Sequence, residues 1–276
     1  MIIFPNCKIN LGLNILSKRN DGYHELQTVF YPLPFYDVLE VIQNDKSGGE
    51  PEFSLSGIET QIRTEDNLCY KAFQLLKKDF PGLPTFKMHL LKTIPLGAGL
   101  GGGSSDAAFT LRLLNQKFDL GLSTEKLIDY ALQLGSDCPF FIINKPCYAT
   151  GRGEFLETIP LDLSSYKFIL VNPQIHINTS EAFKHIKPEK KSKSVKEIIQ
   201  QPVESWEEEL KNDFEVIIFK QYPEIKTIKE DLYDSGAVYS SMSGSGSTVY
   251  GIFKNEDEIA TNFPENFFVK ILPGKL

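Results

Sequence analysis

Long apolar runs are missing from this 276-residue chain: no stretch of eighteen apolar residues occurs. The opening residues, Met1-Ile-Ile-Phe-Pro-Asn-Cys-Lys8, also lack the basic segment and apolar core of a secretory leader. The expectation is a cytoplasmic protein. Cysteine is sparse, with four residues at 7, 69, 138 and 147 and no C-x-x-C pair, and the four histidines at 24, 89, 176 and 185 have no zinc-type spacing. These absences argue against a structural metal, and scattered cysteines fit a reducing compartment. Positive charge is in deficit, the net charge being −7. That argues against a general nucleic-acid or anionic-membrane surface, which needs concentrated positive charge. An anionic ligand must therefore be met locally, by loops and a few lysines. With 41% hydrophobic and 24% charged residues the composition is that of an ordinary globular chain. Its length suits one large domain or two modest ones.

Glycine, in contrast, is concentrated. The stretch Pro95-Leu-Gly-Ala-Gly-Leu-Gly-Gly-Gly-Ser-Ser-Asp-Ala-Ala108 carries glycines at 97, 99, 101, 102 and 103, then a hydroxyl pair, then a helix-forming segment. Backbone without Cβ atoms approaches a ligand closely. A helix opening at Ser104 or Ser105 would add free N–H groups and the positive end of its dipole, which together favour a phosphate. Phe86, Met88 and Leu90 alternate with polar residues just upstream, so the loop lies between a strand and a helix. No lysine follows the glycines, which excludes a Walker A loop. Gly97, Gly99 and Gly102 satisfy G-x-G-x-x-G formally, but without a clear second strand or a well-placed ribose acid.

Along the chain, Cys7, Ile9, Leu11, Leu13 and Ile15 alternate with Lys8, Asn10, Gly12 and Asn14, predicting a strand whose polar face is solvated. Asn20-Asp-Gly22 signals a turn. Tyr36–Ile42 and Phe53–Leu55 read as strands joined through a turn at Lys46–Gly49. Asn67 or Asp66 caps a helix with the apolar stripe Leu68, Ala72, Leu75, Leu76, ending before Pro81. A further helix after Ser123 stops at Gly135. Next comes Asp137, either a helix-cap and turn residue or a partly enclosed functional carboxylate. The first domain closes near residue 155 (1–155). The second (156–276) runs strand 168–171, helix from Thr179, a solvated basic loop 187–196, helices 214–219 and 223–232, strand 237–242, loop 243–247, strand 248–253, helix from Glu256 and strand 267–271. With the middle helices counted as one layer that order is β-α-β-β-α-β, a ferredoxin-like split-βαβ arrangement.

Together these motifs resemble the GHMP kinase superfamily, and within it the family that phosphorylates cytidine-diphosphate methylerythritol in isoprenoid precursor synthesis. The resemblance rests on Lys8-Ile-Asn-Leu-Gly-Leu13, Asp21-Gly-Tyr-His-Glu-Leu26, Pro95–Ala108, Gly135-Ser-Asp-Cys-Pro-Phe140 and Ser243-Gly-Ser-Gly246, and spans nearly the whole chain. It implies an α+β, two-domain fold: an N-terminal nucleotide-binding α/β domain and the C-terminal ferredoxin-like domain. It implies ATP-dependent transfer of a phosphoryl group to the 2-hydroxyl of the methylerythritol moiety, with magnesium. Asp137 would be the base and Lys8 its partner, since phosphoryl transfer is mostly positioning and charge stabilisation. ATP would lie on Pro95, Leu96, Gly97, Ala98, Gly99, Leu100, Gly101, Gly102, Gly103, Ser104 and Ser105, with Asn67 and Lys92 on the adenine side. Tyr23 and Phe183 would stack on cytosine, His24 would read its edge, and Asn10 and Thr179 would contact the polar remainder. The Ser104 and Ser105 hydroxyls are candidate magnesium ligands, the set being otherwise open. The 243–246 loop would fold over the active site. Cys7 and Cys138 stand where the family more often has alanine and valine, small apolar exchanges. The partners implied are ATP and the cytidylyl substrate, with neither nucleic acid nor membrane, for a monomer or weak homodimer. Rival readings are a superfamily kinase acting on homoserine or mevalonate, a dinucleotide-dependent oxidoreductase, and a nucleotide sensor.

Overall fold

In chain order the elements are β1 (Ile2–Ile3), β2 (Asn6–Lys18), β3 (His24–Tyr36), β4 (Val38–Gln43), β5 (Glu52–Gly57), α1 (Leu68–Asp79), β6 (Phe86–Lys92), α2 (Gly102–Lys117), α3 (Thr124–Leu134), α4 (Cys138–Ile143), β7 (Cys147–Gly151) and β8 (Phe155–Thr158). There follow β9 (Tyr166–Asn172), α5 (Thr179–His185), α6 (Val195–Ile198), α7 (Trp206–Glu209), α8 (Glu215–Gln221), α9 (Pro223–Asp234), β10 (Tyr239–Met242), β11 (Val249–Lys254) and β12 (Phe268–Pro273). The structure, a computed structural model, describes residues 1–44, 50–59, 62–189, 191–260 and 262–276. The turn expected at Lys46–Gly49 lies outside them. Two compact units emerge: Met1–Cys7, Phe35–Leu96 and Gly101–Asn144 form the first, and Lys8–Pro34, Gly97–Leu100 and Lys145–Leu276 the second. Residues 1–155 are thus shared between the two units, and the glycine loop carries residues of both.

The first unit contains the sheet β1-β4-β6-β5, in which β5 runs parallel to β6 and the other pairs are antiparallel. Its helices begin and end on local chemistry. Asn67 Oδ1 accepts the Cys69 N–H at 2.9 Å to cap α1, and Ser123 caps α3 by accepting the Lys126 N–H. Helix α1 buries Cys69, Ala72, Phe73 and Leu76, a stripe at i, i+3, i+4 and i+7 that is turned slightly from the expected one. Phe86 on β6 lies between Phe73 and Phe118, with ring centroids 5.4 and 5.5 Å away.

The second unit contains two sheets, β2-β3-β7-β8 and β10-β11-β9-β12. In the latter every pair is antiparallel, and its order is that of a split βαβ fold, as the sequence predicts. The helix expected from Glu256 is absent among the described residues, which form turns and irregular chain there. The Asp257 carboxylate accepts the Lys254 N–H at 2.9 Å, closing a local turn, and Pro264 removes a backbone donor further on. Strand β2 differs from expectation too: residues 6–15 are buried on both faces, with Lys8 6% and Asn10 3% exposed. Alternation separates polar from apolar faces without saying which meets solvent. Here the polar face is satisfied internally, Asn10 donating to Thr28 Oγ1 at 3.0 Å and accepting from Tyr250 Oη at its carbonyl at 2.9 Å. Among the described residues no helix is long and apolar enough to cross a membrane.

Phe86 is fully buried, so Phe86→Ala is expected to lower unfolding free energy by about 3–5 kcal/mol. The urea midpoint of the variant against the parent chain measures this.

Candidate active site

In the second unit the tip of the glycine loop is tied down from three directions. Lys8 Nζ donates to Gly99 O at 3.3 Å and to Asn10 Oδ1 at 2.5 Å. Ser243 Oγ donates to the same Gly99 carbonyl at 2.7 Å while accepting the Asn10 N–H at 3.2 Å. The Thr248 N–H reaches Ala98 O at 3.2 Å, and the Lys8 N–H reaches Leu100 O at 2.9 Å. Gly99 has φ +79°, and a Cβ there would fall 2.0 Å from the Ser243 carbonyl oxygen. Glycine is demanded here by conformation and by close approach together. Lys8, Asn10, residues 97–100 and the 243–246 loop, chosen from the sequence, thus form one hydrogen-bonded set.

The base-site candidates lie in the same unit. The His24 ring stacks on Phe183 with centroids 5.0 Å apart and planes 16° from parallel. Phe183 in turn meets Phe214 edge to face at 4.9 Å. Burial, with a smaller contribution from Lys18, holds the His24 pKa below the ordinary imidazole value, so the ring is neutral at pH 7 with one donor and one acceptor nitrogen. Tyr23 is exposed, with the Arg152 guanidinium 4.5 Å above its ring. Thr179 opens α5, four residues before Phe183, and its hydroxyl lies 2.8 Å from that of Ser245. His24 is therefore a stacking neighbour of Phe183, a placement that the expected role of edge reader did not include.

In the first unit Gly101 takes φ +69° as the cap of α2, which opens at Gly102, two residues before the expected Ser104. Ser104 Oγ donates to Asp137 Oδ1 at 2.7 Å, so the half-buried carboxylate, at the N-cap of α4, is oriented by the first turn of α2. Ser105 Oγ is buried without a partner. Among the described residues no three His, Cys, Asp or Glu side chains gather to hold a metal. Asn67 spends its side-chain oxygen on the α1 cap.

Lys92, expected on the adenine side, is enclosed by two carboxylates of the first unit. Its ammonium is 3% exposed and bonded to Asp37 and, at 2.7 Å, to Asp106 Oδ2. Asp37 Oδ1 also accepts the Thr93 and Ile94 N–H groups at 2.6 and 2.9 Å. This triad ties the strand entering the glycine loop to the helix leaving it. Burial pulls the Lys92 pKa down, but Asp106 and Asp37 more than reverse that and leave it raised. Burial pushes Asp106 well above the carboxylate range, with Lys92 opposing and Asp37 adding to the shift. Sequence reasoning missed Asp37 and Asp106; the available signal was a lone acid inside each of two otherwise apolar or small-residue segments, Phe35–Leu39 and Ser105–Phe109.

Lys92→Met would leave the Asp106 carboxylate buried without its counter-charge, and a loss of about 3–5 kcal/mol at neutral pH is expected. Asp106, already raised by burial and now without the opposing ammonium, would have a folded pKa further above its unfolded one, so the folded state binds the extra proton. The deficit should shrink as pH falls toward the ordinary aspartate range. Denaturant unfolding of both proteins between pH 4.5 and 8 measures it; a deficit independent of pH would contradict the assignment.

The family model described as GHMP kinases N terminal domain matches residues 67–145, and GHMP kinases C terminal matches residues 194–267. The 4-diphosphocytidyl-2-C-methyl-D-erythritol kinase of Bacteroides fragilis is 51% identical over 259 residues, 94% of either chain. The kinase of the same name from Azobacteroides pseudotrichonymphae is 52% identical over 92% of this chain and 94% of its own. A crystal structure of 4-(cytidine 5'-diphospho)-2C-methyl-D-erythritol kinase superposes with a TM-score of 0.81 and 29% identity, covering 100% of both chains. On that identity and coverage, joined to the loop geometry above, the chain belongs to the 4-diphosphocytidyl-2-C-methyl-D-erythritol kinase family of the GHMP kinases.

Proposed function

We propose that the chain transfers the γ-phosphate of ATP to the 2-hydroxyl of 4-(cytidine 5'-diphospho)-2-C-methyl-D-erythritol, releasing ADP and the 2-phosphate. The observation that carries this reading is the joint hold of Lys8 and Ser243 on the Gly99 carbonyl, in a chain half identical to kinases of that name. In the proposed reaction Asp137 accepts the hydroxyl proton as the oxygen bonds to the γ-phosphorus and the bond to the β-phosphate oxygen breaks. The Ser104 hydrogen bond fixes which carboxylate oxygen stays occupied and leaves the other to take the proton. Lys8 and the N–H groups opening α2 offset charge on the transferring group. A neutral His24 can both donate to and accept from a pyrimidine edge, while Phe183 and Tyr23 offer stacking faces. Asn10 and Thr179 contact the remainder of the substrate. Lys92 serves the nucleotide indirectly, through the stems of the loop.

Magnesium enters with the triphosphate in this reading, since the cation is commonly held by substrate phosphates with few protein ligands. The orphan Ser105 hydroxyl and Ser104 fit such sparse ligation, and the cation would supply charge neutralisation across the phosphates. Four scattered, buried cysteines support a reducing, cytoplasmic setting.

ADP release should be seen with magnesium-ATP and the cytidylyl substrate, and not with mevalonate, homoserine or methylerythritol phosphate as acceptor. Turnover of one of the simple alcohols in its place would retain the superfamily chemistry and discard the substrate. Asp137→Asn is expected to lower kcat at least ~100-fold; unchanged turnover would remove Asp137 as the base.

A further inference from the structure

The segment Asn212-Asp-Phe-Glu215 uses all four of its side chains to reach other elements of the second unit. Asn212 is 2% exposed, and its Nδ2 donates to Met242 O at 2.7 Å and to Gly244 O at 2.8 Å. A single amide group thus holds the carbonyls on either side of Ser243, the residue whose hydroxyl bridges Asn10 N–H and Gly99 O. Its Oδ1 accepts the Phe214 N–H at 3.0 Å, fixing the amide's orientation. The Asp213 carboxylate accepts the Ile15 N–H at 2.8 Å and pairs with Lys191 at 2.9 Å, while backbone bonds join Leu13 to Lys211 and Asp213, so the segment lies along β2, the strand that carries Lys8 and Asn10. Phe214 packs edge-on to Phe183, which stacks on His24. Glu215 Oε1 accepts the Met242 N–H at 2.8 Å and the Ser241 hydroxyl at 2.9 Å, and Lys229 meets its other oxygen at 2.7 Å.

A segment that merely started α8 would need none of these bonds. The caps of a short helix are local, whereas these partners lie 26 residues away or more on the 241–244 strand end and loop and on β2. We infer that Asn212–Glu215 is a positioning segment for the transfer reaction: Asn212 sets Ser243, and through it Gly99 and the Lys8 end of the site, while Phe214 backs the base-stacking pair. The inference rests on the proposed kinase reading, and its two ends make different kinetic demands. Loss of the Asn212 donors frees Ser243 and should act on turnover and ATP. Loss of the Phe214 ring edge should act on the cytidylyl substrate alone.

The test is steady-state kinetics of the parent chain, Asn212→Ala, Asn212→Asp and Phe214→Leu, each with its thermal unfolding curve. Asn212→Asp keeps the acceptor for the Phe214 N–H and nearly the same volume, so it serves if the alanine variant does not fold. Both Asn212 variants are expected to lose kcat by about 10- to 100-fold, the scale of a small misplacement in a reacting site. KM for ATP should rise and KM for the cytidylyl substrate stay within about twofold. Phe214→Leu should raise the cytidylyl KM by roughly 2- to 10-fold, the worth of one edge-to-face pair, with kcat unchanged. If all variants instead lose kcat in proportion to their unfolded fraction with every KM unchanged, the segment is only structural and the inference fails. If the parent chain itself turns over no cytidylyl substrate, the functional reading fails, and the inference with it.

Discussion

The Gly99 carbonyl is the point on which the second unit's share of the site depends. It accepts from the Lys8 ammonium at 3.3 Å and from the Ser243 hydroxyl at 2.7 Å, and Ser243 is tied in turn to the backbone of Asn10. A backbone carbonyl suits this work because it cannot rotate away once its own φ and ψ are set. Gly99 has to be glycine for the contact to exist at all, since a Cβ would collide with the Ser243 carbonyl.

The buried lysines Lys92 and Lys8 are held in different ways. Lys92 lies between two carboxylates on the stems of the loop, a charge cluster that pays for its desolvation only because all three groups are paired. Its output is geometric, joining Thr93 and Ile94 to the first turns of α2. Lys8 bonds to a carbonyl and an amide oxygen on the loop tip and its own strand.

Much of the local structure was legible from single residues. The Asn67 cap, the Gly135 stop, the left-handed glycines and the strand order of the second sheet follow from short-range chemistry or from element order. Other elements misled for identifiable reasons. Lys8, Asn10 and Asn14 alternate as a solvated face would, yet they are buried, because an internal polar face and an external one have the same period. The helical pattern after Glu256 yielded to a side-chain turn at Asp257. The Asn212–Glu215 segment reads as an ordinary helix start, since nothing in a tetrapeptide reveals partners 26 residues and more away.

By itself, then, the amino-acid sequence determined where backbone could bend, where helices begin, and which residue types were present for phosphoryl transfer, because these are properties of a few neighbouring atoms. The tertiary structure alone decided that Lys92 is enclosed by Asp37 and Asp106, that Phe183 leans on His24, and that Asn212 holds Ser243. Those are pairings across 14 to 159 residues of chain, and they exist only because packing lets buried polar groups find each other in place of water.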